Sequence, residues 1–251
     1  MINYEFPLSE RIRTLLRLEG LYTKISHFIA QSSTTDHQAA LNVLFEILDV
    51  TGRSDLKPDL IQELERQKRQ LATLHDNPEI SEAALDTLLS EIESTSAQLL
   101  STGGRPGQQL RDNEWLMGIK QRAGIPGGTC EFDLPSFHYW LSQDAALRRA
   151  YLQDCLAPLL PIRDALAIVL KLLRDNGKLF HFTAIQGSFQ QPQGGRVAQM
   201  LRVSLDSALQ CVPEVSANKY VLNIRFVLAN YSVKSEASEQ DVKFDLTFCN
   251  L

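Results

Sequence analysis

Apolar residues recur at three- and four-residue steps through the first two-thirds of the chain and at two-residue steps through the last third. The first period draws a stripe along one helix face, and the second alternates side chains across a strand. Beyond Ser9, a side-chain cap for a helix start, Ile12, Leu15, Leu18, Leu21, Tyr22, Ile25 and Ile29 mark one amphipathic helix. Thr35-x-x-Gln38 resembles a capping box for a second, which carries Leu41, Leu44, Phe45 and Leu48 and stops at Gly52. Pro58 suits the first turn of a third helix, with Leu60, Ile61, Leu64 and Leu71 on its stripe and Glu65 placed to pair with Arg69. After an Asp76-Asn77-Pro78 turn, Ser81 caps a fourth helix bearing Leu85, Leu88, Ile92 and Leu99. So short a turn predicts an antiparallel helix hairpin over about 58–100.

Ser101–Gly107 is rich in helix breakers. It leads to a short helix with Leu110, Trp115, Leu116 and Ile119 on one side, a sharp turn at Ile125–Gly128, and a helical stretch opened by Pro135. Further helical patterns run over 144–155 and 159–175 and end at Asn176-Gly177. The period then becomes two. Leu179–Phe189, Met200–Leu205, Lys219–Leu228 and Val242–Cys249 read as strands, with a hairpin loop at Gln191–Gly195 and a polar loop at Ser232–Gln240. Strands in succession without intervening helices predict an antiparallel sheet. The predicted class is α+β, an all-helical domain over 1–177 followed by an antiparallel β domain over 178–251.

Composition narrows the class. Hydrophobic residues make up 44% of the chain and charged residues 22%, an ordinary globular balance. The net charge of −5 argues against a broad nucleic-acid surface but leaves room for a local basic pocket. The most apolar window, Cys155–Leu173, is interrupted by Pro158, Pro161, Arg163, Asp164 and Lys171, so it predicts a core helix and no membrane span. The N-terminal residues carry both signs of charge and read as the start of a helix rather than a signal peptide. Four scattered cysteines without a Cys-x-x-Cys pair point to reduced, mostly buried thiols in a cytoplasmic protein.

Catalytic motifs are missing from the linear sequence. The glycine clusters at 103–107, 127–128 and 194–195 fit neither phosphate-loop pattern, and the five histidines show no metal-binding spacing. No cofactor and no metal are predicted. An enzyme whose site is assembled only in space stays open as the alternative. Glu131 and Asp133 read either as paired acids or as a polar edge. The arginines beside breaker turns stand out: Arg53 after Gly52, Arg105, Arg111 and Arg122 around the Trp115 helix, and Arg225 on a strand opened by Lys219. Arginine grips a carboxylate through two parallel hydrogen bonds, which suits an acidic peptide; each is otherwise a solvated charge or a local ion pair.

The run Ile125-Pro-Gly-Gly-Thr-Cys-Glu-Phe-Asp-Leu-Pro-Ser-Phe-His-Tyr-Trp-Leu141 closely resembles the signature of the ZapD family, cytosolic proteins of the bacterial FtsZ division ring. Phe6–Glu19, Glu63–Leu71, Leu205–Ser207 and Ile224–Phe226 agree in order and spacing, so the resemblance covers essentially the whole chain. It implies a helical and a β domain, a symmetric homodimer, binding to the C-terminal tail of FtsZ, bundling of FtsZ filaments, and recruitment to midcell without membrane insertion. It also implies a basic tail-binding cleft near the domain junction. Arg53 and Arg225 match arginines of that surface and Lys219 matches beside them, while Arg111 and Arg122 are added as tail-binding candidates. Val221 and Glu114 stand where the family carries arginine. Arg17 and His138 match positions associated with dimer contacts.

Overall fold

The computed structural model describes residues 1–52, 55–75, 81–192, 198–218, 220–230 and 236–251. Arg53, Lys219, the Asp76-Asn77-Pro78 turn, and parts of the loops at 191–195 and 232–240 lie outside the described residues. The chain divides into two compact units, Leu15–Val169, and Met1–Thr14 with Leu170–Leu251.

The helical part begins with α1 (Glu10–Ala30) and α2 (Thr34–Thr51). Ser9 caps α1 as predicted, its Oγ accepting the Ile12 N–H at 3.2 Å. The cap of α2 sits two residues earlier than predicted. Ser33 Oγ accepts the Asp36 N–H at 3.0 Å and donates to the Asp36 carboxylate at 2.6 Å. Gln38, freed from capping, donates to Thr129 Oγ1 at 3.0 Å.

The turn between these helices is fastened from a distant part of the chain. Arg149 donates to the carbonyls of Ile29 at 3.0 Å and Gln31 at 2.9 Å. Arg148, only 5% exposed, donates to Ser32 O at 2.8 Å, Leu141 O at 2.8 Å and Gln143 O. Its Nε donates to His37 Nδ1 at 2.9 Å, so that nitrogen keeps its lone pair and His37 Nε2 donates to Gln31 O at 3.0 Å. Both arginines belong to α8 (Ala145–Leu156).

α3 (Leu56–Ala72) and α4 (Glu82–Ser101) form the predicted antiparallel pair. Lys57 at the start of α3 donates to Thr102 O at the end of α4 at 2.5 Å, and Lys68 meets Glu93 at 2.8 Å. The predicted Glu65–Arg69 pair gives way to Glu63–Arg66, because Glu63 is buried and Gln67 also donates to it at 2.8 Å. The single helix predicted around Trp115 is two, α5 (Gln108–Arg111) and α6 (Glu114–Ala123). Asn113 separates them and caps α6, its Oδ1 accepting the Leu116 N–H at 3.0 Å. Trp115 packs with Phe137 and Trp140 of α7 (Pro135–Leu141) and with Tyr151, at ring-centroid distances of 5.6 to 6.4 Å. A 3-10 turn, Ala157–Leu159, precedes α9 (Leu160–Asp175).

The strands are β1 (Ile2–Pro7), β2 (Lys178–Ala184), β3 (Ser188–Pro192), β4 (Met200–Leu205), β5 (Cys211–Ala217), β6 (Val221–Leu228) and β7 (Val242–Cys249). They form two antiparallel sheets, ordered β1-β4-β7-β2 and β3-β6-β5. The core of this unit is built from alternate residues of both, including Leu201, Val203, Phe244 and Leu246 with Leu222, Ile224 and Phe226. Three features depart from the pattern. The N-terminus enters β1 before its helix, β5 carries Pro213 and a mixed pattern, and the predicted strand 179–189 divides between the sheets. That division is made at Gln186 and Gly187, whose φ angles are 48° and 70°. A Cβ on Gly187 would lie 2.5 Å from Ser238 O, so both the turn and the close approach require glycine.

β1 is tied to its unit by charge. Arg174 grips both oxygens of Glu5 at 2.8 and 2.7 Å, and Arg202 adds a contact at 3.2 Å. Burial pushes the Glu5 carboxyl up, but hydrogen bonds and charge from Arg174 and Arg202 outweigh it and hold Glu5 below the usual carboxylate range. Cys155, Cys211 and Cys249 are buried free thiols, with Cys130 free and exposed.

Burial lowers the pKa of His37, helped by the charges of Arg148 and Arg149 against opposing hydrogen bonds to Gln31 and Ile29. An unfolded histidine titrates near about pH 6.5, so below that value the unfolded chain binds more protons than the folded one. The contribution of His37 is therefore complete above about pH 6.5 and is lost as the pH falls toward its lowered folded value. Urea midpoints measured across this range should drop on acidification, and His37→Gln should flatten the drop. Arg148→Ala should cost about 3 kcal/mol at neutral pH, since it leaves buried carbonyls unpaired.

Candidate functional site

In the helical unit, a pocket of about 970 Å³ opens where α2 ends, α3 begins and the 104–106 loop crosses. Its apolar surface comes from Pro58, Ile61 and Pro106, and its charged groups are Lys57 and Arg105. Among the described residues no acid lines it. Arg53 immediately follows Gly52, one of the lining residues, and is itself outside the described residues.

The pocket exists because the end of α2 is capped by arginines. A helix leaves its last carbonyls unpaired, with partial negative charge concentrated there. Arg105 Nε donates to Gly52 O at 2.7 Å, and its Nη2 reaches the same oxygen. Arg111 donates to Pro106 O at 2.7 Å and, through Nη2, to Leu48 O. Gly52 leaves room for this crowding: a Cβ would fall 2.7 Å from Arg111 Nη2 and 3.0 Å from both Arg105 Nη2 and Leu48 O. Gly107 turns the loop into α5 with φ +67°, and a Cβ there would meet Leu48 Cδ2 at 2.7 Å. Burial and the neighbouring Arg105 lower the Arg111 pKa, opposed by Asp49.

Carbonyl oxygens orient these cations without neutralising them. Lys57 is held in the same way, by Thr102 O. The pocket therefore keeps a net positive field on a chain of net charge −5. Its chemistry suits a ligand with a carboxylate and an apolar side chain.

The candidates named from sequence are dispersed. Arg111 lies behind the pocket wall as a helix cap, and Arg122 meets Asp133 at 3.5 Å on the loop before α7. Arg225 lies on the outer face of β6, 3.4 Å from Glu214, with both side chains more than half exposed. Arg17 is exposed on α1, and His138 stands 3.7 Å from Glu131 on α7. Val221 opens β6, and Glu114 is in the first turn of α6, where a negative charge is favoured. Lys57 and Ile61 escaped sequence reasoning because their helical spacing alone reads as surface and core. The basic pair Lys57/Arg105, joined through the ends of the α3–α4 hairpin, is visible only once that hairpin is folded.

The ZapD family model, described as a cell division protein, matches residues 16–225, most of the chain. The chain belongs to the ZapD family. The cell division protein ZapD of Dechloromonas aromatica is 56% identical over 252 residues, covering 100% of both chains. That of Chromobacterium violaceum is 54% identical over 250 residues, covering 99% of each. That of Nitrosomonas europaea is 53% identical over 251 residues, covering 100% of this chain and 96% of its own. The family thus assigns a role in cell division, and no helix among the described residues is long and apolar enough to cross a membrane.

The structural role of Arg111 separates it from the surface arginines. Arg111→Ala should lower the unfolding free energy by about 2 kcal/mol, as expected for a charged donor to buried carbonyls. Arg225→Ala, which removes only an exposed pair, should stay within about 0.5 kcal/mol of the parent. Equilibrium urea denaturation compares the two.

Proposed function

We propose that this ZapD-family chain is a non-enzymatic, cytoplasmic cell-division factor that binds the C-terminal tail of FtsZ. As a homodimer it cross-links FtsZ filaments into bundles at the midcell ring. The observation that carries the reading is the pocket at the end of α2, lined by Lys57 and Arg105 and by no acid among the described residues, with Arg53 next in sequence to its lining. Arg225, Lys219 and Arg122 are the further tail contacts in this reading, and Arg111 acts by holding the pocket wall.

A flexible tail loses conformational freedom on binding, so one tail in one pocket makes a weak, micromolar contact. A filament displays many tails, and a dimer that has caught one holds its second pocket at a high effective concentration of others. Bundling then arises from avidity between weak sites. Because the pocket is open to solvent, its charge-assisted contacts are screened by salt.

Sedimentation of FtsZ polymers tests the proposal. Bundled FtsZ should pellet with this protein and fail to pellet when the FtsZ tail is deleted. Arg53→Ala/Arg225→Ala should abolish bundling, and Lys57→Glu should weaken binding of a tail peptide by about tenfold, the effect of one lost charge-assisted contact. Bundling of tail-deleted FtsZ, or unchanged bundling by the double variant, would overturn it.

A further inference from the structure

Arg225 and Glu214 are the only charged residues in the three strands of the β3-β6-β5 sheet, and they are paired with each other. Arg225 stands directly opposite Glu214 of β5 in the antiparallel register, and opposite Ser188 of β3 on its other side. Residues paired in this way share a face of the sheet, so Ser188, Arg225 and Glu214 form one exposed row across it. The next row, Gln190, Asn223 and Ser216, is exposed, polar and uncharged. Val221, on the same face of β6, adds no charge where the family carries arginine. The strands of this face are therefore neutral, and an acid that approaches Arg225 meets a carboxylate beside it.

The pair is loosely made. Arg225 Nε lies 3.4 Å from Glu214 Oε2, longer than a charge-assisted hydrogen bond, and both side chains are more than half exposed. The Arg225 Nη groups have no ion-pair partner among the described residues. Arg174 makes the opposite choice, gripping both oxygens of the half-buried Glu5 at 2.8 and 2.7 Å. A single-point contact in water contributes little, so a second carboxylate gripped at two points can replace it. Glu214 nevertheless stays anchored on the adjacent strand, where its charge repels the incoming acid.

We infer that Glu214 is a built-in competitor for Arg225, a positioning residue that holds down the affinity for an acidic tail. The inference rests on the tail-binding reading, in which Arg225 receives a tail carboxylate. Removal of a residue that touches the tail favourably weakens binding, whereas removal of the competitor strengthens it. A restrained single site suits a cross-linker that works by avidity, because each contact can open while the others hold.

Fluorescence anisotropy of a labelled FtsZ-tail peptide tests the inference. Glu214→Gln keeps the size and removes the charge, and it should lower the Kd about threefold at low salt, the scale of one exposed ion pair. The gain should shrink as salt is raised to about 0.5 M. Arg225→Ala should weaken binding about tenfold. Adding Glu214→Gln to Arg225→Ala should change the Kd by less than about 1.5-fold, because the competitor then has nothing to mask. Circular dichroism melting should show every variant folded like the parent, and Glu214→Gln should bundle FtsZ at a lower protein concentration. Unchanged or weaker peptide binding by Glu214→Gln, with Arg225→Ala still impaired, would overturn the inference and leave the tail-binding reading standing. So would an equal gain in the Arg225→Ala background, which would make Glu214 a general repulsive charge. A parent that binds no peptide, or an Arg225→Ala variant that binds it as the parent does, would instead overturn the reading at this strand and the inference with it.

Discussion

Helix ends must satisfy their carbonyls, and in this molecule arginines from remote sequence meet that demand. The exit of α1 is held by Arg148 and Arg149 and the exit of α2 by Arg105 and Arg111. Each reaches back more than fifty residues. Leucine stripes alone allow the helices to slide, whereas a guanidinium fixed on particular carbonyls sets one register. Arg148 illustrates the stringency, because four acceptors from three segments converge on one nearly buried side chain. Such a charge is tolerable in the interior only when its donors are matched.

The same constraint explains which parts of the fold were legible in sequence. Period and punctuation carry the long helices, the α3–α4 hairpin and the change to strands near Asn176-Gly177. They are local properties, and each residue along a stripe repeats the message. The misses are tertiary. Ser33 displaced Thr35 as cap because Gln38 had a partner in Thr129, ninety-one positions away. β1 read as a helix approach because its alternation, Ile2, Tyr4 and Phe6 against Asn3 and Glu5, is short and runs straight into the Ser9 helix start; its strand is stabilised by β4 and by Arg174, 169 positions from Glu5. The single strand predicted at 179–189 became two because a positive-φ turn at Gln186-Gly187 lies inside the run that reads as one strand.

The candidate site was legible to a different degree. Arginine beside a breaker is a visible cue, and it drew attention to Arg105, which lines the pocket, and to Arg53, which follows the lining residue Gly52 in sequence. It did not distinguish a cation that caps a helix from one that faces solvent. Arg105 and Arg111 occupy the same breaker-rich stretch and differ in what lies beyond their guanidinium groups. Arg105 lines the pocket and Arg111 supports its wall. That distinction depends on the path of the 104–107 loop, which is fixed by Gly107 against Leu48. Family resemblance supplies the identity of a partner, which no periodicity contains.

The last turn of α2 serves two neighbours at once. Asp49 pairs with Lys120 of α6, while Gly52 lines the pocket and Leu48 O anchors Arg111 behind it. One turn of helix therefore presents a side chain to α6 and backbone carbonyls to the arginines that shape the pocket. A substitution that loosens this turn acts on the pocket indirectly, by releasing Arg105 and Arg111 from their carbonyls, and its cost falls on stability as well as on the shape of the pocket. A substitution of Lys57 changes the charge of the lining and leaves those helix-end contacts in place. Stability and pocket charge are thus separable at neighbouring residues, because backbone carbonyls hold the wall and side chains furnish the lining.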